Sequence, residues 1–159
     1  MADPVHIKGI AGIKARAGQH LGTSDWHTID QARIDAFAEA TLDFDWIHTK
    51  PELAKDGPFG KTIAHGYLTL SMVFALLREV YVLDDIQMGL NYGIDRLRFP
   101  APVPVDSKIR AVVVMKDAHD VPAGVQMTLT CTIECDATTK PAIVADLVFR
   151  FYKARVLTA

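Results

Sequence analysis

The sequence predicts an α+β chain in which an antiparallel sheet wraps around one long buried helix. Three observations carry that prediction. Residues 66–77 hold no charge, and the apolar residues from there to Val80 leave almost no polar face, as in a helix enclosed by protein. Three later segments alternate apolar and polar residues with a period of two, the signature of strands with one buried face. Helical patterns fill the first half and strand patterns the second, an order that argues for α+β architecture and consecutive antiparallel strands.

Taken in order, residues 26–29 suit a short strand entering a helix near residues 28–30. Thr28 with Gln31 three positions on has capping-box spacing, and Asp30 is an equally good N-cap. The helix runs to about Ala40 and buries Ile34, Phe37 and Ala38. A polar break follows, and Pro51 suits the first turn of a short helix over residues 51–55. The long apolar helix begins near His65 and carries Tyr67, Leu68, Leu70, Met72, Val73, Phe74, Leu76, Leu77 and Val80. From Asn91 onward the pattern is that of strands. Ile109, Ala111, Val113 and Met115 alternate with Lys108 and Arg110. Val125, Met127, Leu129, Cys131, Ile133 and Cys135 form the apolar face of the next strand, and Ile143, Ala145, Leu147, Phe149 and Phe151 line the last. Breaks at residues 100–104, 122–124 and Pro141 separate these runs.

At 159 residues, half of them hydrophobic and 23% charged, the chain is expected to be one domain over residues 1–159 with a substantial core. A net charge of −2 gives no footprint for nucleic acid and no polybasic patch for a membrane surface. The 12 uncharged residues 66–77 are too few to span a bilayer. Near the N-terminus the apolar run between Lys8 and Lys14 is too short, and too broken by Gly9 and Gly12, for a secretory signal. Cys131 and Cys135 share the apolar face of one strand, so they are expected as core residues in a reducing cytoplasm.

Two stretches carry the chemistry. In the break after the first helix, Asp43 and His48 stand five positions apart, a carboxylate and an imidazole able to handle protons. Next, Gly57-Pro58-Phe59-Gly60-Lys61-Thr62-Ile63-Ala64-His65-Gly66 leads into the apolar helix, whose first-turn amides lack intrahelical acceptors and suit a developing anion. An acid/base pair beside such a helix end suggests chemistry on a carbonyl compound. The same residues also have plainer readings: Asp43 as a turn cap, His48 as a satisfied histidine, Gly66 as a packing glycine. Asp43, Asp45, His48, Asp56 and His65 lack a recognisable metal-ligand spacing, and no metal is expected. Ser71 has no nucleophile-elbow glycines around it. Arg96 and Arg98 suit a ligand phosphate, a solvated strand face or subunit salt bridges equally well.

At these residues the chain resembles the MaoC-like dehydratases, a branch of the hot-dog fold that includes (R)-specific enoyl-CoA hydratases. The family's Thr-Gly-Asp-x-x-x-x-His segment is matched by Thr41-Leu42-Asp43-Phe44-Asp45-Trp46-Ile47-His48, and its Ala-His-Gly by Ala64-His65-Gly66. Trp46-Ile47-His48, Gly57-Pro58-Phe59-Gly60 and Arg98-Phe99-Pro100-Ala101-Pro102-Val103 are similar to the nodulation-protein-N-like subgroup, and the likeness covers roughly residues 21–151. The resemblance implies a hot-dog fold and a two-fold homodimer. It also implies a hydro-lyase on an acyl-CoA or acyl-carrier-protein thioester, hydrating a trans-2-enoyl-CoA or dehydrating a 3-hydroxyacyl-CoA. Asp43 and His48 would hold the water and the Gly66 N–H would meet the enolate-like oxygen, while His65 itself reads as bracing the helix start rather than transferring protons. Water is the co-substrate, so no organic cofactor is expected. A hot-dog thioesterase and a non-catalytic binder of acyl thioesters or signal molecules are the alternatives. Two departures stand out. Leu42 replaces the family's glycine: either the backbone keeps a glycine-like conformation under strain, or the loop is rebuilt and the side chain turns inward against Trp46 or a neighbour, which is the favoured expectation. Asp45-Trp46 replace the Asn-Pro of the hydratase motif.

Overall fold

The computed structural model describes residues 3–153. β1 (Val5–Lys8) runs into α1 (Gly9–Ala15), followed by β2 (His20–Thr23) and β3 (His27–Ile29). Then come α2 (Gln31–Thr41), two four-residue helices, α3 (Trp46–Thr49) and α4 (Pro51–Ala54), and the long α5 (Gly66–Val80). β4 (Tyr81–Asp84) continues directly from α5. β5 (Met88–Arg98), β6 (Ser107–Val121), β7 (Gly124–Cys135) and β8 (Ile143–Tyr152) complete the described chain.

The main sheet is antiparallel, in the order β2-β6-β7-β8-β5, with β3 also on β6. Its period-2 pattern sorts as the sequence predicts: Ile109, Ala111, Val113, Met115, Leu129, Ile133, Ile143 and Ala145 are all fully buried on the inner face. Against that face α5 buries Leu68, Met72, Val73, Leu76, Leu77 and Val80. Leu76 has no exposure at all, so truncating it to alanine would cost about 2–5 kcal/mol. This is the α+β arrangement of a sheet around a central helix.

Three features depart from the sequence reading. β1 and β4 form a separate two-stranded parallel pair, and the strand β1 and helix α1 precede the first element that the sequence pattern predicts. A four-residue strand is too short to display a convincing period. The helix α5 is also less enclosed than its composition predicts, because Tyr67 is 67% exposed and Phe74 47%. Those residues belong to a face that the chain's own sheet covers only in part, Phe74 meeting Phe149 of β8 edge-on with ring centroids 5.9 Å apart. The cysteines behave as expected: both are free and buried, and burial, with the Asp146 carboxylate adding to it, pushes the Cys131 thiol up to about 12.

Candidate active site

The helix α2 starts on Asp30, whose carboxylate accepts from the Arg33 N–H at 2.9 Å. Of the two caps the sequence offers, Asp30 is therefore the one used. Gln31 turns instead to the segment that carries His48. Its Nε2 donates to the His48 carbonyl at 2.8 Å, and its Oε1 accepts from the buried Thr62 hydroxyl at 2.6 Å. Neither role of Gln31 shows in sequence spacing, because its partners lie 17 and 31 positions away.

The same helix ends on Leu42, held in the left-handed region at φ 61° and ψ 25°. Contrary to the expectation of an inward-packed side chain, Leu42 is 78% exposed. The left-handed turn that a glycine would make without strain is kept, and the leucine side chain points to solvent. Trp46 has another neighbour: a Cβ on Gly57 would lie 3.0 Å from its ring. After the turn, the Asp45 carbonyl accepts from the N–H groups of His48 and Thr49 at 3.0 and 3.1 Å, opening α3 and placing His48 on its inner side. Asp43 is exposed, and its carboxylate has a long contact of 3.5 Å with the Asp45 N–H.

Residues 62–65 form the opposing wall. Ala64 N–H donates to the Val103 carbonyl at 2.8 Å and Val105 N–H to that of Thr62 at 2.9 Å, while Ile63 N–H reaches the Ile47 carbonyl at 3.0 Å. Into this wall the buried His48 places Nδ1, 2.7 Å from the Ile63 carbonyl oxygen. A carbonyl only accepts, so the proton is on Nδ1 and the Nε2 lone pair is left for chemistry. By the same reasoning His65, only 3% exposed, donates from Nε2 to the Asp43 carbonyl at 3.0 Å. The two imidazoles stack with centroids 3.8 Å apart at 29°. A carboxylate oxygen of Asp43, a ring nitrogen of His48 and one of His65 all lie within 4.8 Å of one another. Asp45 and Asp56 are not part of that cluster.

Gly66 opens α5, and no side chain caps that helix start. A Cβ there would lie 3.1 Å from the Phe99 ring, so the packing reading of this glycine is correct as far as it goes. Gly66 also lines a cleft of about 270 Å³ together with His48, Phe59, Thr69, Phe99 and Ala142. His48 and Gly66 therefore open onto one cavity, and the Asp43 carboxylate stands beside His48 without itself lining that cavity. Arg96 lies 3.7 Å from Asp146 and Arg98 donates to the Leu97 carbonyl, so within the chain both serve the sheet.

Comparison with known proteins gives a consistent result. The family described as "MaoC like domain" matches residues 13–135. The 3-hydroxyacyl-thioester dehydratase Z of Mycobacterium tuberculosis is 43% identical over 146 residues, covering 91% of this chain and 97% of that protein. Nodulation protein N of Rhizobium leguminosarum bv. viciae is 41% identical over 147 residues, covering 89% and 90%. The fold is shared with the (R)-hydratase from A. caviae involved in PHA biosynthesis, at a TM-score of 0.68 and 23% identity over 82% of this chain and 95% of the other. A MaoC-like dehydratase from Rhodospirillum rubrum matches at a TM-score of 0.72 and 18% identity over 88% and 94%.

Proposed function

The chain belongs to the MaoC-like domain family, and from that premise we propose that Asp43 and His48 are the acid/base pair of a hydro-lyase acting on an acyl thioester. In the hydration direction a trans-2-enoyl thioester, carried on CoA or an acyl carrier protein, becomes an (R)-3-hydroxyacyl thioester. The dehydration direction is the same path reversed, and a relative 43% identical is named a 3-hydroxyacyl-thioester dehydratase. One water bridges the Asp43 carboxylate and the Nε2 lone pair of His48. Its oxygen bonds to C3, one of its protons passes to the pair, and a proton from the pair reaches C2, so the atoms balance with the chain's own residues and water. Between these events negative charge gathers on the thioester oxygen, where the Gly66 N–H at the start of α5 stabilises it.

The observation that carries this reading is the hydrogen bond from His48 Nδ1 to the Ile63 carbonyl, which leaves the Nε2 lone pair free on a ring that has a nitrogen within 4.8 Å of the Asp43 carboxylate and that shares a cavity with the uncapped start of α5. The test is to add purified protein to trans-2-enoyl-CoA and follow loss of the conjugated thioester absorbance and release of free thiol in parallel. Absorbance loss without thiol release is expected. Thiol release instead would establish a thioesterase, and neither signal, with the thioester still bound, a non-catalytic binder.

The rest of the reading concerns assembly and setting. β5 ends the sheet, Met88, Leu90, Tyr92 and Ile94 on it are exposed, and Tyr92 and Ile94 share a cavity with the exposed Phe74 of α5. An open strand edge flanked by apolar side chains invites pairing, and the partner proposed is a second copy of this single-domain chain, in a two-fold dimer. Among the described residues no helix is long and apolar enough to cross a membrane. Two free buried thiols suit the reducing cytoplasm proposed for it.

A further inference from the structure

His65 is the one member of the cluster with no role in the steps above. Its ring is nearly fully buried, yet Nδ1 has no hydrogen-bond partner among the described residues. An unsatisfied buried polar atom is costly, and phenylalanine or leucine would fill the space without one. Packing alone therefore does not account for an imidazole here. What the imidazole has that those residues lack is the N–H at Nε2, which reaches the Asp43 carbonyl at 3.0 Å.

That contact is made to the backbone of Asp43, whose side chain has few ties of its own. Asp43 follows the strained left-handed Leu42, and its carboxylate is exposed, with the 3.5 Å approach of the Asp45 N–H at the limit of hydrogen bonding. A catalytic carboxylate displaced by about 1 Å loses on the order of 10²-fold in rate. We infer that His65 is a positioning residue: its Nε2–H anchors the Asp43 backbone, while its ring, stacked on His48, holds the two reacting groups in one register. The inference rests on the proposed acid/base roles of Asp43 and His48.

The experiment compares His65→Phe, His65→Gln and His65→Asn with the parent and Asp43→Asn in the enoyl-CoA hydration assay, measuring kcat, KM and melting temperature for each. Phenylalanine keeps a ring on His48 and removes the donor. Glutamine places an amide N–H near the Nε2 position, and the shorter asparagine does not reach the Asp43 carbonyl. The expected result is a folded His65→Phe with kcat at least about 10-fold lower and KM within about 3-fold, and a His65→Gln that recovers most of the loss. A His65→Phe with the parent's kcat, or equal losses in Phe and Gln, overturns the inference. If His65→Phe does not fold, the comparison is His65→Gln against His65→Asn, where equal turnover overturns it and a clear advantage for Gln supports it. Inactive Asp43→Asn beside a fully active His65→Phe removes only the role of His65. Near-normal Asp43→Asn removes the acid/base reading and this inference together.

Discussion

His48 donates its Nδ1–H to the carbonyl oxygen of Ile63 at 2.7 Å, so a single hydrogen bond fixes both the direction of the ring and the nitrogen that carries the lone pair. The acceptor is itself immobilised. Ile63 N–H is bound to the Ile47 carbonyl, and the residues on either side of Ile63 are bound to the strand-like segment around Val103 and Val105. The basic nitrogen therefore inherits its position from backbone bonds, which are harder to displace than surface side chains. Gln31 adds a further tie by joining the His48 carbonyl to Thr62.

Leu42 is expected to be a site where glycine stabilises. At φ 61° a leucine carries roughly 1–2 kcal/mol of strain that glycine avoids, partly offset by the greater freedom of glycine in the unfolded chain. Because the side chain is exposed, little burial is lost. Leu42→Gly should raise the melting temperature by a few degrees, on the order of 0.5–1 kcal/mol of stability. A lower melting temperature by differential scanning calorimetry would mean that the side chain has a partner in solution.

Much of this arrangement was legible in the sequence. The strands β6, β7 and β8 reveal their inner faces because period-2 alternation over ten or more residues leaves little ambiguity, and motif order singles out Asp43, His48 and Gly66, whose catalytic roles are proposed. The rest was hidden for physical reasons. The orientation of Leu42 depends on one backbone dihedral, and an inward-turned leucine reads the same as an outward one. Gln31 and Thr62 act through tertiary contacts across 31 positions. The open face of α5 looks like a fully buried helix in composition, since an exposed apolar face and a buried one use the same residues.

Acid should act on the sheet through Asp146. This carboxylate, 4% exposed, accepts from Lys116 at 2.8 Å and Thr130 at 2.7 Å, with Arg96 at 3.7 Å. The Lys116 hydrogen bond foremost, then that of Thr130 and the nearby cations, hold it below its usual range against the opposing effect of burial. A carboxyl lowered in the folded state contributes stability above its unfolded value, near pH 4, and that stability is lost as pH falls toward the folded value. The parent's melting temperature should thus fall more steeply below about pH 4 than that of Asp146→Asn. Parallel curves would show that Asp146 contributes nothing to acid sensitivity.

The exposed β5 edge should be occupied in solution. Light scattering at micromolar concentration is expected to give a dimer mass, and Ile94→Asp, which places a charge on the exposed apolar strand, should shift it toward monomer while circular dichroism stays native. A monodisperse parent monomer contradicts the proposed assembly.

The most direct measurement of the central claim is a double-mutant cycle on turnover of trans-2-enoyl-CoA. Asp43→Asn and His48→Gln should each fold and lose at least about 10²-fold in kcat, the usual scale of acid/base help. Because the two side chains are proposed to share one water, the double variant should be little worse than either single. Near-normal hydration by either single variant, or losses that simply multiply in the double, would contradict a shared-water pair at Asp43 and His48.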